Sequence, residues 1–141
     1  MALRKGKHTV DAEHLKSVPL FAGLSRRDRE TVARVTDSVD VPAGQVLTTE
    51  GGLSLEFFVI EAGTATVTRN GEKIAELGPG NFFGEVGVLR AERRNATVIA
   101  DTPMRLLVVF AQNFTVLEHQ IAAVSAVVEK ALAERTASSE G

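Results

Sequence analysis

At 141 residues the chain has room for one domain with one core, and little for a second catalytic or DNA-binding unit. Its 16 Lys and Arg against 18 Asp and Glu give a net charge of -2, too weak a field to hold a polyanion non-specifically, and the absence of cysteine excludes disulfides, thiol catalysis and thiolate metal sites. The 44% hydrophobic content is that of a globular protein, no signal-like apolar run follows the basic start Met1–His8, and no stretch reaches the ~20 apolar residues that span a bilayer.

A soluble cytoplasmic protein is expected on these grounds, with neither membrane nor nucleic acid as a partner. Residues from about 10 to 38 read as a helical entry. Within it, Ser25-Arg26-Arg27-Asp28 has the spacing of a capping box, with Ser25 accepting from early N–H groups and Asp28 answering in reverse. A helix from about Arg26 to Asp37 follows, and Val32 and Val35, with Leu20, Phe21 and Leu24 upstream, give it an apolar face.

From Val39 to about residue 111 the pattern changes to short runs of β type: Gln45–Glu50, Phe57–Glu61, Thr64–Arg69, Glu72–Leu77, Ala96–Ala100 and Met104–Phe110. Glycine-bearing turns separate them. Asn70-Gly71 is the sharpest, because a two-residue hairpin turn needs positive φ at both central positions. Regular short strands indicate a barrel, sandwich or jelly roll, and their segregation from the helices indicates the α+β class.

The segment from Gln112 to about Arg135 returns to helix. Phe114, Leu117, Ile121, Val124, Val128 and Ala131 recur at alternating spacings of three and four, the pattern of a coiled-coil seam. Ala122, Ala123, Ala126 and Val127 add small or apolar groups off that seam. Two readings stay open: a fixed helix covering the roll, and a homodimer through Ile121, Val124 and Val128. The polar tail 136–141 is expected to fray, so a single domain covers 1–141.

Chemistry is concentrated in the stretch from Leu77 to Ala96, where a glycine-rich turn leads to a short apolar run and then a basic cluster. Gly84 and Gly87 remove side chains where a ligand could approach the backbone, and a short helix opening near Glu85 would direct free N–H groups at an anion. Arg94 can give that anion a charge-assisted, bidentate partner. An ionised Glu85 can only accept hydrogen bonds, so beside an anion its role would be to hold hydroxyls such as those of a sugar. The alternative is that Glu85 merely begins a helix and Arg94 is a solvated surface arginine.

From about Val18 to Val128 the sequence resembles the cyclic nucleotide-binding domain family, which includes the catabolite activator protein, protein kinase A regulatory subunits and cyclic-nucleotide-gated channels. Val18-Pro19-Leu20-Phe21-Ala22-Gly23-Leu24-Ser25 resembles its entry helix, Val41-Pro42-Ala43-Gly44-Gln45-Val46-Leu47 its early strands, and Leu77 to Ala96 its phosphate-binding cassette. The resemblance implies an antiparallel, jelly-roll-like β-roll with N-terminal and C-terminal helices. It also implies that Glu85 takes the ribose 2′-hydroxyl and Arg94 the cyclic phosphate. Phe83, Gly84, Val86, Asn95 and Ala96 would complete the nucleotide site, with backbone N–H groups around Gly84, Val86 and Ala96 as donors.

Three departures stand out. Asn95 occupies the usual Ser or Thr position, whose Thr favours guanine, Arg93 replaces a frequent proline, and Gly52-Leu53-Ser54-Leu55 lacks the usual acidic glycine turn. The resulting expectation is a stand-alone, non-enzymatic sensor of cAMP, with cGMP the lesser ligand, acting on an unknown protein effector. Its rival is a domain of the same fold that has lost the nucleotide and serves protein–protein contact. A metal cupin would need imidazoles clustered in the strands, whereas His8, His14 and His119 lie outside them. Arg90, Arg93 and Arg94 lack the aromatic interleaving and helix-turn-helix module of a nucleic-acid reader.

Overall fold

The computed structural model describes residues 8–53, 55–84 and 93–121, with Ser125, Ala126, Glu129 and Ala133 beyond them. A two-residue strand β1 (His8–Thr9) leads into helices α1 (Ala12–Leu15), α2 (Pro19–Ala22) and α3 (Arg26–Arg34). Each start has a local cause. The Asp11 carboxylate accepts the His14 N–H at 2.8 Å, Pro19 supplies a preset φ at the first turn of α2, and the Ser25 hydroxyl accepts the Asp28 N–H at 3.1 Å, the forward half of the capping box.

Helix α3 ends at Arg34, three residues short of the expected Asp37. The Thr36 hydroxyl donates to the Val32 carbonyl at 2.7 Å, and Asp37 already pairs with Val108 of the last strand. Strand pairing of this β-branched, polar stretch outweighs its weak helical preference. The entry is therefore three short helices preceded by a strand.

The strands are β2 (Asp37–Val41), β3 (Val46–Thr48), β4 (Glu56–Ala62), β5 (Ala65–Arg69), β6 (Glu72–Leu77), β7 (Phe82–Phe83), β8 (Thr97–Ala100) and β9 (Met104–Phe110). They form two antiparallel sheets, ordered β1-β2-β9-β4-β7 and β3-β8-β5-β6. This is the α+β, jelly-roll-like architecture with flanking helices. Asn70 and Gly71, both at positive φ (55° and 81°), turn β5 into β6 as the sequence predicts.

Strands β4 and β9 pair at the centre of the larger sheet and are buried on both faces, which explains their nearly unbroken apolar runs. Phe58, Ile60, Leu106 and Val108 face the space between the sheets. Phe57, Val59, Leu107 and Val109 face the helices and meet Phe21, Val32 and Phe114. Phe57 stacks on Phe114 with ring centroids 4.3 Å apart, and His14 of α1 reaches Glu61 of β4 at 2.5 Å.

The C-terminal helix differs from the expected Gln112–Arg135. Helix α4 spans Ala111–Gln120, and Ile121 leaves the helical conformation at φ -119° and ψ 97°. Ser125 is again helical and donates its N–H to the Ile121 carbonyl at 3.2 Å. Phe114 and Leu117 are buried, and Ile121, 3% exposed, packs with them into the chain's own core. Val124, Val128, Ala131 and the tail lie outside the described residues. Among the described residues no helix is long and apolar enough to cross a membrane.

The hairpin and the β4–β5 turn give a direct stability test. Gly63 has φ 89°, and a Cβ there would run into the Pro103 carbonyl, whereas Gly71 has φ 81° with open space around it. Gly71→Ala should cost about 1–2 kcal/mol from backbone strain alone, and Gly63→Ala about 3 kcal/mol or more. Urea unfolding of the two variants checks this, and equal losses would contradict it.

Candidate functional site

The glycine-rich turn before β7 is tied to β4 from both sides. Asn81 N–H donates to the Gly78 carbonyl at 3.0 Å while the Asn81 side-chain oxygen accepts the Gly78 N–H at 2.7 Å. Gly80 N–H donates to Ile60 and Ile60 N–H to Asn81, each at 2.9 Å. Phe83 then enters the inter-sheet core, 5% exposed, with its ring 4.7 Å from that of Phe58. The turn thus delivers Gly84 to a fixed place beside the start of β4.

Arg94 arrives from the other side of the cassette. Its N–H donates to the Gly52 carbonyl at 2.9 Å and its carbonyl accepts the Gly51 N–H at 2.8 Å, so the 51–52 turn clamps its backbone. This is the segment without the usual acidic turn, and its two glycines perform a backbone task. The neighbouring residues are held as well. Asn95 is exposed, but its carbonyl accepts from Arg69 Nε at 3.0 Å, and the buried Ala96 accepts from the Thr48 hydroxyl at 3.1 Å.

The Arg94 side chain is buried, the residue being 8% exposed, which overturns the solvated-surface alternative. Its Nη2 donates to the Glu56 carbonyl at 2.6 Å and its Nη1 to the Gly84 carbonyl at 3.3 Å, while the guanidinium lies 5.9 Å from the centre of the Phe58 ring. A buried cation requires such partners, since desolvation without them would cost several kcal/mol. Gly84, at φ 93°, is required by the same geometry: a Cβ would stand 2.7 Å from Arg94 Nη1 and 2.8 Å from the Glu56 carbonyl oxygen.

Glu56 is the residue that sequence reasoning missed. Its carboxylate Oε1 lies 3.9 Å from Arg94 Nη2, and the side chain is almost fully buried. Burial raises its pKa from the ordinary 4.5, and the nearby Arg94 charge opposes that rise. A signal was available, because Glu56 is a lone acid opening the run Phe57-Phe58-Val59-Ile60, and two-residue alternation puts it on the inward face with Phe58 and Ile60.

Of the sequence-derived site residues, the structure brings together Gly84 and Arg94, stacks Phe83 on Phe58 and places Asn95 and Ala96 on the chain leaving Arg94. Glu85 and Val86, with Gly87 and Arg90, lie outside the described residues. Among the described residues no group of three or more His, Cys, Asp or Glu side chains could hold a metal ion.

A buried, glycine-framed guanidinium has the chemistry to accept an anion, and most of the chain is similar to known proteins. Over 119 residues the chain is 34% identical to a cyclic nucleotide-gated potassium channel from Rhizobium etli, covering 84% of this chain and 33% of the channel. Over 101 residues it is 36% identical to a cAMP-dependent protein kinase regulatory subunit from Eremothecium gossypii, covering 71% of this chain and 22% of the subunit. The chain thus spans no more than a third of either relative. The crystal structure of Thermus thermophilus catabolite activator protein is similar with a TM-score of 0.76 at 25% identity, over 86% of this chain and 60% of that one. The cyclic nucleotide-binding domain family matches residues 38–120, more than half of the chain and a stretch that includes Glu56, Gly84 and Arg94, and the chain belongs to that family.

Proposed function

We propose that the chain is a non-enzymatic cyclic nucleotide sensor, with cAMP preferred and cGMP the lesser ligand. The observation that carries this reading is the burial of Arg94 beside Gly84 within the family-matched segment. The guanidinium can exchange a carbonyl for a phosphate oxygen and keep a planar fork of donors aimed at the anion. Glu85 would take the ribose 2′-hydroxyl, and backbone N–H groups around Gly84, Val86 and Ala96 would complete the cradle. Asn95 lacks the hydroxyl that a Thr would offer to guanine, which supports adenine.

Readout has a physical route in the residues at the start of β4. The Glu56 carbonyl accepts from Arg94, the preceding Leu55 carbonyl accepts the Ala111 N–H of α4 at 2.8 Å, and the following Phe57 stacks on Phe114 of α4. A ligand that moves Arg94 therefore acts on three consecutive residues, two of which hold α4. It shifts α4 only by its differential affinity for the two arrangements. The partner that reads the shift is a protein effector. Self-association, if it accompanies sensing, falls to Val124 and Val128 once Ile121 is assigned to the core.

One observation favours the rival module without nucleotide: Arg94 already has oxygen partners inside the chain. Calorimetric titration with cAMP and cGMP separates the readings, and no heat with either at millimolar concentration would reject the sensor. Arg94→Ala should weaken binding by roughly 1.5–3 kcal/mol, and Arg94→Lys should also lose affinity because an ammonium cannot reproduce the fork. Glu85→Gln, which keeps one acceptor for the ribose, should lose less. All three binding like the parent would remove the phosphate from Arg94. On saturation with cAMP, amide exchange across Phe114 to Ala131 should change; changes confined to Gly84 through Ala96 would leave binding without this readout.

A further inference from the structure

We propose that binding of a cyclic nucleotide at this site is coupled to uptake of one proton by Glu56. The proposal rests on the nucleotide reading above and concerns the regulation of the same site. Glu56 shares the inward face of β4 with Phe58 and Ile60, and its carboxylate lies 3.9 Å from Arg94 Nη2. Both side chains are buried, at 11% and 6% exposure, so neither charge is well screened by water. Before ligand arrives, the carboxylate is a counter-ion of Arg94.

A phosphate drawn to Arg94 brings a further anion against the same cation as Glu56. Two anions within ~4–6 Å in a buried site disfavour each other's ionised forms. A phosphodiester is too strong an acid to take the proton, so the carboxylate does. The step transfers a proton from the solvent to a Glu56 oxygen, and no other bond changes. Burial has already pushed the Glu56 pKa upward, which brings protonation closer to neutral pH.

Among the described residues, the charged groups on the adjoining segments are engaged elsewhere. Arg93 donates to the Gly51 carbonyl and the Glu50 carboxylate accepts the Asn70 N–H, while Phe110, opposite Glu56 on β9, bears no charge. Among the charges that bear on Glu56, Arg94 is the foremost and the N-terminal amine a lesser one, both lowering its pKa against burial.

The sign follows from linkage. A carboxylate whose pKa rises on binding holds more proton in the complex, so affinity increases as pH falls through the bound-state pKa and levels off below the free-state pKa. Titration calorimetry of the full chain with cAMP, between about pH 5 and 8 in paired buffers of unlike ionisation enthalpy, counts the protons. The parent should gain up to about tenfold in affinity per pH unit within the window, with up to one proton taken up per nucleotide. Glu56→Gln should bind about tenfold more tightly at the alkaline end and show a flattened profile.

Parent affinity independent of pH with no proton uptake, or an undiminished slope in Glu56→Gln, would overturn the coupling while leaving the nucleotide site intact. Absence of heat from both proteins at every pH would overturn the coupling together with the nucleotide reading. The proton count on the parent stands even if the variant folds poorly.

Discussion

The cassette is organised around one buried positive charge. Arg94 cannot leave water without oxygen partners, and among the described residues it finds them at the Glu56 carbonyl and carboxylate on β4 and at the Gly84 carbonyl after β7. This requirement dictates its surroundings. Gly84 must lack a side chain, the 51–52 turn holds the Arg94 backbone, and Phe58, stacked on Phe83, lies beside the guanidinium. On the proposed sensor reading, an arginine held this way is preorganised for an incoming anion but already partly neutralised, so affinity would depend on how readily its internal partners give way.

The same few residues join the site to the rest of the molecule. Alternation along β4 sends Glu56 and Phe58 toward the cassette and Phe57 toward the helices, one step apart. β4 is paired with β9 and buried on both faces, so the residues beside Arg94 and those under α4 belong to one packed strand. The contact of α1 with β4 through His14 and Glu61 anchors the entry helices to the far end of the same strand. The sensor reading thus needs no separate transmission element.

Much of this was legible in the residues, where a local rule and the global fold agreed. Ser25 caps its helix, Asn70-Gly71 turns its hairpin, and the apolar runs of β4 and β9 become central strands. Gly84 and Arg94 stood out because their spacing resembles a family pattern, but their mutual contact is not a sequence property. Burial of Arg94 depends on carbonyls 10 and 38 residues away in the chain, which no local window contains. Glu56 escaped notice because a single acid at a strand end ordinarily faces water. The break at Ile121 and the early end of α3 were hidden for a related reason: side-chain packing and strand pairing overrode helical periodicity.

The most direct test is a crystal structure of the chain grown with cAMP. The account predicts the cyclic phosphate within hydrogen-bond distance of the Arg94 guanidinium, with Glu56 displaced from the 3.9 Å at which it now stands. A nucleotide bound elsewhere, with Arg94 still held on the carbonyls of Glu56 and Gly84, would contradict it.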